Sequence, residues 1–433
     1  MRILMVFHAP PYPPDIGPSR RHYHVLAETV KRHDVTVLSL GSEADRTAFV
    51  ERFGAACPRA VFVPNHYGTA INAARCGWYL ATARSNFHRL YRPAFQKALD
   101  RLVDDERFDL VYCSTTMLGC YRLPTHLPLV GDTHNVEHDN LGRASRESPE
   151  RWRRAFYRRQ ATLTRREELA YSSRFSIVCA TSERDRLLIS QLAPGVPTAV
   201  VPNGIDCEKY RPDPARAPEP GAMLFTGLMR YYPNEHGVRR FVERVLPSIV
   251  RRVPHATLSI VGADPPASVR ALASRHVVVT GRVPDVRPYY ARAEIAIVPL
   301  WIGGGTRVKV LEAMAMGVPV VSTPLGCEGL DVRHGHTALI GEDDDALADA
   351  AVRALTQPGL RHSLAADGAA LADEYDWRRV ALGLEAAFRV ARRRTSCSSI
   401  AGISPARPPV TSTSWMRATA PGVPTTKPSP GAF

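Results

Sequence analysis

Short runs of apolar residues alternate with amphipathic segments along the first two hundred positions of the chain. The apolar runs cover residues 2–7, 35–40, 60–63, 110–113, 128–132, 176–180 and 198–202. Helical periodicity marks residues 19–32 and 87–104 between them. Nearly continuous apolar runs of this length are typical of parallel strands that helices cover on both faces. The alternation therefore predicts a doubly wound α/β domain.

The second half of the chain repeats this pattern. Strands are predicted at 222–226, 256–261, 276–280, 294–298, 318–322 and 337–340, and helices at 235–252, 285–293, 306–316 and 344–356. The proline-rich stretch 211–221 between the halves reads as a linker. We therefore predict an α/β protein with two tandem Rossmann-like, doubly wound domains, 1–205 and 206–375, facing each other across a cleft.

The end of the chain differs in composition from the two domains. Residues 376–394 have the pattern of one more amphipathic helix. Residues 395–433 are rich in Ser, Thr, Pro and Gly and contain no acidic residue. Such a segment buries too little apolar surface to order itself, so we predict a disordered tail over 395–433.

Composition and charge exclude several classes of protein. No apolar run is long enough to span a bilayer, and the first one breaks at His8, before it reaches the length of a signal-peptide core. The expected location is therefore cytoplasmic. The eight cysteines form no CxxC pair and no cluster with zinc spacing, so we expect no bound metal.

Much of the formal net charge of +14 is concentrated in one segment. Residues 143–174 hold ten arginines and four acidic residues, with three aromatic side chains among the charges at 152, 156 and 157. The pattern predicts one long basic helix that contacts anionic lipid as a peripheral membrane segment at the inner face of the plasma membrane. A solvated helix is the alternative. Nucleic-acid binding would suit the charge alone, but no nucleic-acid-binding motif accompanies it, so we expect no nucleic-acid partner.

A glycine triplet, Gly303, Gly304 and Gly305, follows the predicted strand 294–298 and leads into a helix. Thr306 is placed to cap that helix. Free N–H groups and a partial positive charge at a helix start bind anions, most often phosphate. Lys309, one of only five lysines in the chain, adds a positive charge in the first turn, and Arg307 is a candidate for a second.

Glu312 lies one turn further along the same helix and flanks its apolar stripe. A carboxylate in that position is costly unless it is paired or holds a ligand. A ribose fits, because one carboxylate accepts hydrogen bonds from two hydroxyl groups. A phosphate site followed by a ribose site describes a nucleotide diphosphate. The alternative is a surface ion pair between Lys309 and Glu312.

The stretch GGGTRVKVLEAMAMGVPVVSTPLGCEGL (303–330) strongly resembles the donor site of family 4 glycosyltransferases, which have the GT-B fold. Residues 223–254, 277–300 and 201–206 resemble further segments of that family in the same order. The resemblance implies transfer of a sugar from a nucleotide diphosphate sugar to a hydroxyl acceptor with retention. It also implies no cofactor, an acceptor-side domain at 1–205, a donor-binding domain at 206–375, and a helix 376–394 that crosses back to the first domain.

By this resemblance His134, Lys309 and Glu312 are the expected catalytic residues. The donor is expected to contact Gly17, Gly227, Arg230, Arg282, Val283, Gly303, Gly304, Gly305, Thr306 and Arg307. Arg20 and Arg21 are further candidates for the phosphate. The chain departs from the family at Gly304, where the usual Glu-x7-Glu pattern has its first Glu, and at Trp301, where many relatives carry arginine.

The acceptor expected from the resemblance is a saccharide or a lipid-linked molecule of cell-envelope synthesis. A nucleotide-sugar epimerase of related fold and a non-enzymatic basic binding protein are the alternatives. A nicotinamide-dependent dehydrogenase would need G-x-G-x-x-G after the first strand, and HAPPYPPDIGPS (8–19) lacks it.

Overall fold

A computed structural model describes residues 1–14, 17–65, 84–148, 150–212, 218–303 and 306–400 of the chain. Two parallel sheets organise it, and we call the parts built on them the first lobe and the second lobe. The first sheet has seven strands in the order β3-β2-β1-β4-β5-β6-β7. The second has six strands in the order β10-β9-β8-β11-β12-β13. The predicted class of two doubly wound α/β domains is therefore confirmed.

The first lobe has β1 inside its sheet, between β2 and β4. Residues 3–7 of that strand, β1, are fully buried between helices, and it pairs with both β2 and β4. The strands are β1 (Arg2–Phe7), β2 (Asp34–Leu40), β3 (Arg59–Val63), β4 (Leu110–Cys113), β5 (Leu129–Thr133), β6 (Ile177–Ala180) and β7 (Thr198–Val200). The helices are α1 (Gly17–Thr29), α2 (Glu43–Phe53), α3 (Pro93–Asp105), α4 (Glu137–Glu147), α5 (Arg151–Ser172) and α6 (Glu183–Leu192).

The second lobe begins with β8, which lies between β9 and β11. Its strands are β8 (Ala222–Thr226), β9 (Thr257–Val261), β10 (Val277–Gly281), β11 (Ile295–Val298), β12 (Val320–Ser322) and β13 (Leu339–Ile340). Its helices are α7 (Tyr232–Arg240), α8 (Leu246–Arg252), α9 (Ala267–Arg270), α10 (Arg287–Arg292), α11 (Val308–Ala315), α12 (Asp344–Thr356) and α13 (Pro358–Glu374). A π-helical turn, Phe241–Val245, joins α7 to α8.

The last helix, α14 (Trp377–Ile400), packs on the first lobe although it follows the second along the chain. Its buried side chains, among them Trp377, Leu384 and Phe388, share a hydrophobic core with Met5 of β1 and Tyr112 of β4. The helix extends to Ile400 and so includes residues 395–400, which the sequence places in the tail. The remainder of the predicted tail, 401–433, and residues 213–217 of the predicted linker lie outside the described residues.

The predicted single basic helix over 143–174 is wrong. The segment holds the end of α4 and the whole of α5, with a break after Glu147. Pro149 explains the break, because a proline inside a helix lacks the N–H donor and clashes with the preceding turn. It also favours an extended conformation in the residue before it, and Ser148 has φ −66° and ψ 129°. Within the described ranges, no helix is both long enough and apolar enough to cross a bilayer.

Candidate functional site

The candidate donor site lies where strands of the second sheet end at their carboxyl edge. β8 leads into Gly227 and β11 leads into the loop before α11. β8 and β11 are neighbours in the sheet, so both connections open at the same edge. Ligands of open α/β sheets collect at such an edge, in the crevice outside the carboxyl ends of the strands.

Gly303 sets the path of the loop into α11. Its φ of 106° lies in the left-handed region, which side chains disfavour. A Cβ there would lie 3.1 Å from Cγ of Pro233 and 3.3 Å from Nη2 of Arg307. The position therefore requires glycine both for its backbone angle and for its neighbours. The predicted contacts Gly304 and Gly305 lie outside the described residues.

The predicted cap of α11 is wrong. The helix begins at Val308, so Arg307 occupies the N-cap position and makes no capping hydrogen bond. Thr306 lies one residue too early to cap, and its Oγ1 has no hydrogen-bond partner among the described residues. The N–H groups of the first turn consequently remain without a side-chain cap, which leaves them suited to an anion.

Lys309 lies in the first turn of α11, as the sequence predicts. Its Nζ donates to Oδ1 of Asn234 at 2.9 Å and lies 3.9 Å from the centroid of the Phe225 ring. Burial removes the ammonium group from water and lowers the pKa of Lys309 to about 7. The charge of Arg307 adds to this shift to a smaller extent, and that of Glu312 opposes it. The ammonium group is therefore a cation without a carboxylate hydrogen-bond partner in the described part of the chain, held by a neutral amide.

Arg307 supplies a second buried cation beside Lys309. The residue is 7% exposed. Burial lowers the pKa of its guanidinium, whereas Tyr231 and Glu328 favour the charged form. Because arginine stays protonated in proteins, Arg307 places a permanent positive charge at the start of α11, beside the titrating Lys309.

Glu312 is buried and is bound by three side chains. Its Oε1 accepts from Nη1 of Arg20 and from the hydroxyl of Tyr210, both at 3.3 Å. Its Oε2 accepts from the hydroxyl of Tyr290 at 3.1 Å. The alternative, a surface ion pair between Lys309 and Glu312, is not formed. Lys309 is bound to Asn234 instead.

Two glycines allow the loops after β8 and β9 to approach each other closely. A Cβ at Gly262 would lie 1.7 Å from the carbonyl oxygen of Gly227, and a Cβ at Gly227 would lie 2.9 Å from Nζ of Lys309. Gly227 therefore lies directly beside Lys309.

Three predicted donor contacts lie at the periphery of this edge. Arg230 is largely exposed, with its Nε 3.6 Å from Oδ2 of Asp264. Arg282 is exposed after β10, and Val283 packs partly against the core of the second lobe. The structure thus places Arg230 and Arg282 near solvent, while Lys309, Glu312, Gly227 and Gly303 belong to the same edge of the sheet.

The first lobe reaches this site through α1 and α4. α1 begins at Gly17, and Arg20 in its first turn contacts Glu312 across the lobes. Arg143 of α4 donates to both carboxylate oxygens of Glu328, at 3.0 Å and 2.9 Å, and to the carbonyl of Gly303 at 3.4 Å. Through these contacts the first lobe packs against the loop and helix of the second lobe that form the candidate donor site.

Arg21, one of the two further candidates for the phosphate, does not face the cleft beside Arg20. Its side chain is 1% exposed and makes a bidentate pair with Asp132 at 2.7 Å and 2.9 Å. It also donates to the carbonyls of Val201 and Pro202, both at 2.8 Å. Burial alone would raise the pKa of Asp132, but the Arg21 guanidinium holds it below the ordinary value. Arg21 therefore ties β5 to the connection between the lobes.

His134 follows β5 and belongs to a group of three histidines. Its ring centroid lies 5.9 Å from that of His8 and 5.3 Å from that of His22. Loss of water lowers the pKa of His134 to about 4 and that of His8 to about 3, so both are neutral at pH 7. Nε2 of His134 has no hydrogen-bond partner within the described residues. A neutral imidazole with a free ring nitrogen suits a hydroxyl group better than a phosphate.

The sequence reasoning missed Asn234, Tyr210 and Tyr290, which hold Lys309 and Glu312. Each of them lies more than twenty positions along the chain from the residue that it contacts. No local sequence pattern indicates contacts over such separations. Arg143 was noticed only as one arginine of a basic segment. Among the described residues, no group of three or more His, Cys, Asp or Glu side chains is placed to hold a metal ion.

The arrangement of two doubly wound lobes around this site is the GT-B architecture. The structure of Anabaena Alr3699/HepE in complex with UDP and glucose matches with a TM-score of 0.62 at 16% identity, covering 90% of this chain and 99% of that one. WaaG, a glycosyltransferase involved in lipopolysaccharide biosynthesis, matches with a TM-score of 0.60 at 19% identity, covering 90% of this chain and 99% of that one. These likenesses show the fold.

The sequence defines the family. Residues 220–357 match the glycosyl transferases group 1, and residues 17–209 match glycosyltransferase family 4. The chain therefore belongs to the family 4 glycosyltransferases, as the resemblance predicts.

Two curated relatives illustrate the similarity. The chain is 33% identical over 189 residues to the GDP-mannose-dependent alpha-(1-6)-phosphatidylinositol monomannoside mannosyltransferase of Mycobacterium tuberculosis, covering 38% of this chain and 49% of that protein. It is 27% identical over 289 residues to the D-inositol 3-phosphate glycosyltransferase of Rhodococcus jostii, covering 61% of this chain and 62% of that protein. The chain thus spans about half to three fifths of the length of these relatives.

Proposed function

We propose that the chain transfers a glycosyl group from a nucleotide diphosphate sugar to a hydroxyl acceptor, with retention at the anomeric carbon. The observation that carries this proposal is the placement of Lys309 and Glu312 three residues apart on α11, where Lys309 is bound to Asn234 and Glu312 to Tyr290. The first is a cation beside a helix start that no side chain caps, and the second is a buried carboxylate. Together they match the diphosphate and the ribose of one ligand.

In this proposal the donor diphosphate lies at the start of α11. Lys309 and Arg307 compensate its charge, and the N–H groups of the first turn of α11 donate hydrogen bonds to it. Negative charge grows on the diphosphate as the bond to the sugar breaks. Cations and dipoles that are already in place stabilise that charge without having to reorganise. No metal ion is required in this scheme.

Glu312 binds the ribose hydroxyls in this scheme. Each carboxylate oxygen has two lone pairs, so the ribose can bond Glu312 while Tyr290 keeps its own hydrogen bond to Oε2. The base lies toward Arg282 and Val283 after β10. The resemblance of residues 277–300 to the base-binding segment of the family supports that placement.

The acceptor enters from the first lobe, near Gly17 and His134. His134 is neutral, and its Nε2 is buried without a hydrogen-bond partner within the described residues. In this scheme Nε2 accepts a hydrogen bond from a sugar or acceptor hydroxyl. We expect His134→Ala to slow transfer while leaving nucleotide affinity unchanged. We expect an effect on transfer and none on nucleotide affinity because His134 lies on the first lobe, whereas the proposed nucleotide site lies on the second.

The acceptor belongs to cell-envelope polysaccharide or glycolipid synthesis in this proposal. The curated relatives named above act on lipid-linked or phosphorylated inositol acceptors according to their names, which supports this class. The exposed start of α5, with Trp152 67% exposed among arginines, supports contact with an anionic membrane surface.

The experiment is product analysis by mass spectrometry after incubation with UDP-, GDP- and ADP-sugars and a cell-envelope lipid extract. We expect one acceptor to gain a single glycosyl residue while the nucleoside diphosphate is released. Lys309→Ala and Glu312→Gln should each lower the rate by about 100-fold or more, as loss of one transition-state contact does. Lys97→Ala, an exposed lysine on α3, is the matched control and should match the wild type.

The alternatives give different products in the same experiment. A nucleotide-sugar epimerase converts the donor without any acceptor, and a non-enzymatic basic protein leaves donor and acceptor unchanged. Wild-type turnover in both Lys309→Ala and Glu312→Gln would refute the donor site.

A further inference from the structure

Four charged side chains form a ring between the two lobes. Asp139 and Arg143 of α4 and Arg184 of α6 belong to the first lobe, and Glu328 follows β12 in the second. Arg143 donates to both oxygens of Glu328, at 3.0 Å and 2.9 Å, and from Nε to Oδ2 of Asp139 at 3.1 Å. Nη2 of Arg184 donates to the same oxygen of Asp139 at 2.6 Å, and its Nε lies 3.6 Å from Oε1 of Glu328. We call these four residues the charge ring.

The charge ring is partly shielded from water. The side chain of Arg143 is 16% exposed and that of Arg184 is 39% exposed. Burial alone would raise the pKa of Asp139, but Arg184 and Arg143 hold it below the ordinary value. The hydrogen bonds to Glu328 raise the pKa of Arg143. Partly buried ion pairs are screened less than exposed ones, so the charge ring stabilises the contact between the lobes.

The turn that carries Glu328 packs between the first lobe and the loop before α11. Gly329 has φ 85°, in the left-handed region that favours glycine. A Cβ there would lie 3.3 Å from Cβ of Ser182, the N-cap residue of α6, and 3.4 Å from Oγ1 of Thr306 in the loop. The loop before α11 is therefore in contact with a turn that the first lobe holds.

Arg143 also reaches this loop directly. Its Nη1 donates to the carbonyl of Gly303 at 3.4 Å as well as to Oε2 of Glu328. Gly303 has φ 106°, so the loop follows an uncommon backbone path there, and a hydrogen bond to its carbonyl stabilises that path. The donors of a guanidinium form a rigid planar fork. One side chain of the first lobe thus fixes both the loop and the neighbouring turn.

We propose that Arg143 is a positioning residue of the donor site, which acts through Gly303 and Glu328 to hold the loop before α11 in the conformation that binds the diphosphate. The inference rests on the proposed donor site, in which Lys309 and Arg307 of the second lobe contact the diphosphate. Arg143 makes no contact with the nucleotide in this scheme. Nucleotide binding and the contact of Arg143 with the loop therefore favour each other, as linked equilibria must.

Amide hydrogen exchange of the unliganded protein tests the positioning directly. Arg143→Gln removes the contact with Gly303. Arg184→Gln removes the other arginine of the charge ring, which has no hydrogen bond to that loop within the described ranges, and Arg146→Gln removes an exposed arginine of α4 outside the ring. We expect faster exchange in peptides that cover the loop in Arg143→Gln, a smaller change in Arg184→Gln and none in Arg146→Gln. Unchanged exchange in Arg143→Gln, or equal changes in Arg143→Gln and Arg184→Gln, would overturn the proposal.

Titration calorimetry with UDP and GDP measures the coupling to the nucleotide. Arg143→Gln should weaken the binding of whichever nucleotide the wild type prefers by about fivefold or more, and Arg146→Gln should leave it unchanged. The double variant Arg143→Gln with Glu328→Gln should lose no more affinity than Arg143→Gln alone, because the two side chains act as one contact. Losses that add in the double variant would contradict a shared role.

Steady-state kinetics separate positioning from a general loss of structure. A weaker hold on the loop lowers the affinity for the donor, so Arg143→Gln should raise KM for the donor and change kcat little. A merely structural defect lowers the fraction of active protein, which lowers kcat and leaves KM unchanged. The second result would overturn the proposal.

The inference and the proposed function fail separately. If neither nucleotide binds the wild type, the proposed donor site fails, while amide exchange still decides whether Arg143 holds the loop. If the nucleotide binds and its affinity depends on Lys309, but Arg143→Gln matches the wild type in exchange and in affinity, the donor site stands and the role of Arg143 is refuted.

Discussion

Nη1 of Arg20 in the first lobe lies 3.3 Å from Oε1 of Glu312 in the second lobe. The ion pair joins the lobes at the carboxylate that we propose for the donor ribose. The Arg20 side chain is 51% exposed, whereas that of Glu312 is 8% exposed. Glu312 therefore depends for its stability on its buried partners more than on the arginine.

The first prediction contrasts two partners of Glu312. Arg20→Gln should change the free energy of unfolding by no more than about 1 kcal/mol, because a half-exposed ion pair is screened by solvent. Tyr290→Phe should cost about 1–3 kcal/mol, because it leaves a buried carboxylate without one of its donors. Urea unfolding of the two variants measures the difference. Equal losses would show that the carboxylate does not depend on Tyr290.

The second prediction concerns pH and nucleotide affinity. The pKa of Lys309 is about 7 in the unliganded protein, and a bound diphosphate favours the charged form. Below about pH 7 the lysine is already protonated. Above it, binding must take up a proton, so Kd should rise by up to about tenfold per pH unit between about pH 7.5 and 9, where the phosphate itself no longer titrates.

Calorimetry in buffers of different ionisation enthalpy measures this proton uptake directly. Lys309→Arg is the control, because arginine stays charged throughout the range and should flatten the pH dependence. A wild-type affinity that stays constant above pH 7 would rule out Lys309 as the titrating contact.

The third prediction tests the loop before α11. Gly303→Ala forces a side chain into a backbone with φ 106° and against Pro233. It should cost more than the roughly 1–2 kcal/mol of the left-handed conformation alone and should weaken nucleotide binding. Gly335→Ala is the control, since Gly335 has φ 79° and a Cβ there meets nothing within 4 Å. Thermal unfolding and nucleotide titration measure the stability and the affinity of both variants. A larger loss in Gly303→Ala than in Gly335→Ala would show that the neighbours of Gly303, and not only its φ, exclude a side chain; equal losses would contradict this.

The fourth prediction assigns Asn234 a positioning role. Its Oδ1 accepts from Lys309, and its Nδ2 donates to the carbonyl of Leu228 at 2.9 Å. Asn234→Ala should weaken nucleotide binding by about tenfold, because the lysine loses the group that fixes it. Asn234→Asp should instead raise the pH at which affinity starts to fall, since a carboxylate raises the pKa of Lys309. Arg239→Ala, exposed on the same helix, should do neither; an unchanged affinity in Asn234→Ala would contradict the role.

Much of the fold follows from local pattern. Parallel strands that are buried on both faces give continuous apolar runs, and each predicted run coincides with a strand within a few residues, such as β1 at Arg2–Phe7 and β11 at Ile295–Val298. The error at 143–174 was avoidable, because Pro149 is visible in the sequence. The end of α14 was not, because the helix continues to Ile400, past the change in composition.

The candidate site was predictable only in part. A charged residue on an apolar helix face is a local signal, and it identified Lys309 and Glu312. The environment of each comes from distant parts of the chain: Arg20 lies 292 residues from Glu312, and Asp132 lies 111 residues from Arg21. Sequence position alone could not show that Arg20 faces the cleft while its neighbour Arg21 is buried.

A crystal soaked with UDP or GDP, whichever stabilises the protein more against heat, tests the donor site most directly. We predict density for the diphosphate at the first turn of α11, within hydrogen-bond distance of Nζ of Lys309, and a ribose on Glu312. A nucleotide bound elsewhere, with Lys309 still on Asn234 and Glu312 still on Arg20, would contradict the proposed site.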